Sequence, residues 1–181
     1  VTLTGTLTAS AADGTGGIFV TETGAMSVNT IDAGSGAIEL ESTTGAITDA
    51  AGTDETTDVT GADLTIRDST GIGVDANDAL NLSVNNLTIT TTSGNAFITE
   101  ANGIGLGTVD VGDKALDIQA ITGDITNNDS AVVAEDLTLT ATATDGAIGA
   151  TGAADDINVE LGVGGTLTAS AADGTGGIFI S

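Results

Sequence analysis

Residues Gly5 to Phe19 read GTLTASAADGTGGIF, and residues Gly165 to Phe179 read the same. This is identity over 15 residues at an offset of 160, and it continues conservatively, with Val20 and Thr21 matched by Ile180 and Ser181. Chance does not produce such a match. The chain therefore reads as a single segment, 1–181, made of one 160-residue unit (1–160) and the start of the next (161–181). Starting at Val1 with no signal-like stretch, it reads as an interior piece of a tandem array, or as a processed unit that stacks end to end.

A shorter period lies inside the long one. Apolar–polar–apolar triplets begin at Leu7, Ile38, Leu64, Leu87, Leu116, Leu137 and Leu167, with spacings of 31, 26, 23, 29, 21 and 30 residues. That predicts six coils of roughly 27 residues, each opened by a strand with one buried face. Leu7, Leu40, Ile66, Ile89, Ile118 and Leu139 are expected to stack in the core. A glycine follows the triplet at five residues in four coils (Gly45, Gly71, Gly94 and Gly123) and at seven in another (Gly146). These are expected to be corners, with glycine supplying a positive φ. Two residues beyond a glycine come further inward candidates, Ile47, Ile125 and Ile148, with Ile18 placed likewise after Gly16. Stretches such as Met26-Ser-Val28 and Val109-Asp-Val111 supply a third, less regular strand.

Composition narrows the architecture. The chain has no Pro, three Phe and no Trp or Tyr, so its core must be built in thin layers of small and branched aliphatic residues. Proline would remove ladder donors from strands with neighbours on both sides. The expected fold is all-β, a parallel β-solenoid with the right-handed winding that crossovers favour. Asp49 to Asp58, with four acids and no large apolar side chain, reads as a loop projecting from it.

Charge and missing residue types exclude much chemistry. Two Lys and Arg face 26 Asp and Glu, a formal charge of −24. Such a surface lacks the basic footprint that nucleic acid requires and repels anionic headgroups. No apolar run approaches the length of a membrane-spanning helix. Without Cys or His there is no thiolate nucleophile, disulfide, imidazole base or ordinary zinc site. No pair among the acids is singled out for glycoside hydrolysis, and the expectation is that the chain is not an enzyme.

The turns LTLTATATDGAIGA (137–150), LTASAADGTGGIFV (7–20) and LDIQAITGDITN (116–127) resemble the strand–turn–Gly–Ile units of filamentous-haemagglutinin-type adhesins. They are similar also to the repeats of giant bacterial surface proteins. The resemblance covers nearly the whole chain and concerns coil geometry. It implies an elongated protein, secreted and attached to the cell surface.

Three readings of individual residues follow. Asp13, Asp32, Asp54, Asp58, Asp155 and Asp156 stand beside glycine turns or in the acidic loop, where calcium could bind, or where they simply keep a fibre soluble. Asn81, Asn86 and Asn128 head formal glycosylation sequons, and asparagine can also stack as a ladder along a solenoid. The triplet's outward positions, Thr8, Glu39, Thr65, Thr88, Asp117, Thr138 and Thr168, would form an interrupted threonine ladder. Together these favour a structural repeat of an extracellular fibre or surface adhesin, whose partners are neighbouring copies head to tail. The alternative is a glycan- or calcium-dependent binding module acting through its acidic loops.

Overall fold

The computed structural model describes residues 4–13, 15–52, 56–91, 93–128, 130–150, 156–172 and 176–181, and only the backbone of Asp68. Among them are the strands β1 (Thr6–Ser10), β2 (Ile18–Glu22), β3 (Met26–Asp32), β4 (Ile38–Ser42), β5 (Ile47–Asp49) and β6 (Val59–Thr60). There follow β7 (Asp63–Ser69), β8 (Leu80–Ser83), β9 (Asn86–Thr91), β10 (Ala96–Glu100), β11 (Ile104–Asp110) and β12 (Ala115–Ala120). The last are β13 (Ile125–Asn127), β14 (Ala131–Ala134), β15 (Asp136–Ala141), β16 (Asn158–Leu161) and β17 (Leu167–Ala171). No helix occurs among the described residues.

The strands fall into two parallel sheets. The first runs β1-β3-β6-β8-β10-β12-β15-β17, with β5 also on β3; the second runs β2-β4-β7-β9-β11-β14-β16, with β13 also on β11. The protein is a β-solenoid of about six turns: six pairings separate β2 from β16, and seven separate β1 from β17. Parallel pairing follows from the winding, because each strand meets its counterpart one turn later, running the same way.

The coil boundaries differ from those expected. Leu7, Leu116, Leu137 and Leu167 lie in the first sheet, whereas Ile38, Leu64 and Leu87 lie in the second. The triplet spacings of 31 and 29 residues therefore carry the chain through a turn and a half. Both sheets bury the same aliphatic alternation against each other, so period two reports burial and not which sheet a strand joins. The less regular strand is no third face either. Met26-Ser-Val28 belongs to β3 of the first sheet, and Val109 belongs to β11 of the second.

Each inward position forms a row along the axis. Ile98, Ile118 and Leu139 are successive register partners in the first sheet, as are Leu40, Ile66 and Ile89 in the second. All six are buried in one continuous aliphatic core. Each fully buried Leu or Ile contributes about 1.5–3 kcal/mol relative to exposure, which lets small residues fill the remaining places.

Extra chain is inserted where one strand is covered by two. Met26 and Val28 pair with β5, while Ile31 and Asp32 pair with β6. Between β5 and β6 lies the acidic segment, and both its ends belong to the shaft. The Ala50 amide donates to the Val28 carbonyl at 2.7 Å, and the Asp58 amide donates to the Asn81 carbonyl at 2.8 Å. Asp49 and Asp58 are buried, so the loop is shorter than Asp49 to Asp58.

Candidate functional site

The repeated sequence supplies the first and the last coil. In its first copy, β1 pairs with β3 and β2 pairs with β4; in its second, β17 pairs with β15, while Ile178 and Ile180 bridge Ile148 and Ile157. The two copies thus dock through opposite sides of one coil. Among the described residues, β1 and β2 have no partner on their other side, and neither does β17. The open sides carry apolar surface: Leu167 is 39% and Ile178 is 46% exposed, whereas Ile18, the counterpart of Ile178, is 9% exposed. In both copies a phenylalanine lies over a glycine. A Cβ on Gly17 would meet the Phe19 ring at 2.6 Å, and one on Gly177 would strike the Phe179 ring.

The inward candidates fall within the core. Leu40, Ile47, Ile66, Ile89, Ile118, Ile125, Leu139 and Ile148 have no exposed surface, and Ile18 is buried. Leu7, in the first coil, is half-buried and packs against the core.

The corner glycines work differently from the expectation. Of Gly45, Gly71, Gly94, Gly123 and Gly146, only Gly71 has positive φ. Gly45, Gly94 and Gly123 instead permit close stacking of corners. A Cβ on Gly45 would strike the backbone of Ala25, one on Gly94 the Thr70 carbonyl, and one on Gly123 the backbone of Gly103. At Gly146 the nearest atom, the Ala143 carbonyl oxygen, would be 3.1 Å away. Corners in adjacent turns lie directly above one another, so the missing side chain serves the neighbouring turn more than its own backbone.

The acidic candidates are scattered. Asp13 is exposed and Asp156 half-buried; Asp54 and Asp155 lie outside the described residues. Asp32 closes a local turn, with Oδ1 accepting from the Gly34 amide at 2.9 Å. Asp58 Oδ2 accepts from the Asn81 amide at 2.9 Å within the first sheet. Among the described residues, no three acidic side chains gather in a group that could hold a metal ion.

The asparagines form a chain of hydrogen bonds. Asn86 Nδ2 donates to Asp63 Oδ1 at 2.6 Å, and Asn128 Nδ2 donates to Asn86 Oδ1 at 2.8 Å. Asn128 reaches across a turn because Gly105 stands between: a Cβ there would lie 2.7 Å from Asn128 Nδ2. The acceptor nitrogens of two sequons are thus engaged, and the third, in Asn81, belongs to a buried residue. Beside the ladder, Asn85, Gly103 and Asp124 help line an open recess of about 290 Å³.

The outward row splits with the sheets. Phe19, Glu39, Thr65 and Thr88 follow one another on the second sheet, and Phe97, Asp117, Thr138 and Thr168 on the first. No single threonine face results. Partial burial raises the Asp117 carboxyl above the ordinary aspartate range. The two cations are both committed: Arg67 bridges Glu39 at 3.0 Å, and Lys114 bridges Asp113 at 2.9 Å. The hydrogen bond and charge of Lys114 lower the Asp113 carboxyl.

Several buried polar side chains were not anticipated. Glu22, Ser42, Ser69, Thr91 and Glu100 end strands on the inward side. Glu22 Oε1 accepts from the Gly24 amide at 3.0 Å, and Ser42 Oγ lies 2.7 Å from the carbonyl oxygens of both Gly24 and Gly45, with its one proton to give to either. Glu22, Ser42, Thr91 and Glu100 satisfy corner backbone groups that the sheets leave over. The alternation itself signals them, since Ile18, Val20 and Glu22 share one phase, as do Ala96, Ile98 and Glu100.

Comparison with protein-family models, curated proteins and solved structures finds no match to this chain.

Proposed function

We propose that the chain is a structural segment of an extended β-solenoid shaft, part of an extracellular fibre or giant cell-surface adhesin. Its work is reach and contact, without catalysis. One observation carries this reading: the same 15-residue sequence stands at both ends of the same pair of ladders, docked by opposite sides. A ladder that ends as it began can continue, either through the next repeat or into a neighbouring copy, head to tail. The resemblance of the turns to secreted adhesin repeats supports the cell-surface setting. The charge of −24 per 181 residues supports it further, because self-repulsion keeps parallel shafts apart. Contact with other surfaces, including their glycans, falls to the outward rows and the acidic loop.

Cryo-electron microscopy of the native material tests this reading. Seven layers at strand spacing predict an axial repeat of about 34 Å per 160 residues. Continuous fibres with that period are expected, and discrete globular particles would overturn the proposal.

A further inference from the structure

The repeated coil is shaped as a middle layer. In the first copy, Leu7 and Ala9 meet Val28 and Ile31 on one side; in the second, the equivalent Leu167 and Ala169 meet Leu137 and Leu139 on the other. The second strand of the coil behaves likewise, with Ile18 on Ile38 and Ile178 on Ile148. A coil docked on both sides would place its small Ala between Leu139 and Ile31. Each copy within one chain satisfies only one of these pairings.

We propose that separate copies of this chain join head to tail by sharing that coil. The 165–181 coil of one copy takes the place of the 5–21 coil on β3 and β4 of the next. This rests on the shaft reading for its biological sense and specifies the partner and the junction. The exchange sets identical residues against β3 and β4 from Gly5 to Phe19, and Ile180 and Ser181 in place of Val20 and Thr21 opposite Leu40 and Glu41. It covers the open apolar surface of Leu167 and Ile178, and it returns conformational freedom to the displaced segment. Simple stacking of the two open coils is the competing geometry. It would set Ala169 on Ala9 and leave a thin, underfilled row where the chain elsewhere sets a large residue against that alanine.

Cysteine cross-linking in the full chain separates the possibilities, because the natural sequence has no cysteine. Thr8, Thr30 and Thr168 are exposed, and Thr8 and Thr30 are register partners. In the shared coil Thr168 of one copy lies beside Thr30 of the next, at the spacing of adjacent strands, within disulfide reach. Mixing a Thr168→Cys chain with a Thr30→Cys chain under mild oxidation should give the mixed dimer as the main cross-linked species. A Thr8→Cys/Thr30→Cys chain oxidised at high dilution, where copies stay apart and the 5–21 coil sits on its own β3, should close its own bridge and shows that the pair is competent. Overturning results are cross-linking of Thr168→Cys to Thr8→Cys instead, which means stacking, or no mixed dimer while the control closes. Either would leave the axial repeat in micrographs, and hence the shaft reading, to stand or fall separately.

Discussion

Glu100 occupies the core row of the first sheet as the register partner of Leu82, and it has no exposed surface. Its Oε2 accepts from the Val84 amide at 3.1 Å and its Oε1 from the Asn102 amide at 3.0 Å. A carboxylate here terminates an aliphatic strand and holds two corner amides. Burial dominates these two bonds, so the Glu100 carboxyl lies above the ordinary glutamate value of 4.5.

That shift sets a sign for pH dependence. A carboxyl raised in the folded state binds its proton more tightly there than in the unfolded chain. The folded protein therefore gains stability as pH falls from neutral towards 4.5, and loses it as pH rises through that window. Relief of the general negative charge acts in the same direction, so the comparison must be with Glu100→Gln. Urea unfolding of both proteins at several pH values should show wild-type stability rising relative to the variant on acidification. A difference that stays flat, or that falls, would show that Glu100 does not titrate as its burial requires.

Corner glycines should divide into two groups. At Gly94 and Gly123 an added methyl would overlap backbone of the adjacent turn, whereas at Gly146 the nearest atom, the Ala143 carbonyl oxygen at 3.1 Å, is tight but needs to give by only a few tenths of an ångström. Gly94→Ala and Gly123→Ala should each destabilise by about 1–3 kcal/mol, the usual cost of forced overpacking. Gly146→Ala should cost less than either. Chemical denaturation of the three variants checks the order; equal effects would mean that the corners yield freely.

The asparagine ladder predicts unequal losses. Asn86→Ala removes the bond to Asp63 and the bond from Asn128, whereas Asn128→Ala removes only the second. At about 1 kcal/mol for each exposed bond, Asn86→Ala should cost about twice as much as Asn128→Ala. The double variant should be little worse than Asn86→Ala, because the shared bond is lost once. Full additivity in the double-mutant cycle would contradict the ladder.

The solenoid itself was legible because period-two burial and a 160-residue repeat leave few other folds open. The turn boundaries were not. Leu64-Thr-Ile66 and Leu116-Asp-Ile118 look alike, yet they lie in different sheets, and only ladder pairing distinguishes them. Gly94 was legible as a corner but not for its reason, since a sequence shows that the side chain is missing and not that Thr70 lies where it would be. Glu100 was hidden by its own chemistry: a charged residue at a strand end reads as solvent-facing unless its phase with Ile98 is given more weight than its charge. The repeated coil was visible from the start as sequence, while its two-sided docking required the structure.

Ile118 tests the rows themselves. It is fully buried, with Ile98 on one side and Leu139 on the other, so three consecutive turns meet at this residue. Ile118→Val removes one methylene and keeps the β-branched shape, and should cost about 0.5–1.5 kcal/mol. Ile118→Asp puts an unpaired charge into a layer with no room for water, and its cost should exceed what one domain can sustain. Thermal unfolding followed by circular dichroism should show a slightly lowered midpoint for the first and no cooperative transition for the second. The contrast matters more than either number, because a solenoid couples each turn mainly to its neighbours. If Ile118→Asp melts only locally, proteolysis should cut near β12 and leave fragments on either side folded. If it unfolds the whole chain, the continuous core acts as one cooperative unit. A variant with wild-type stability would be inconsistent with Ile118 facing inward at all.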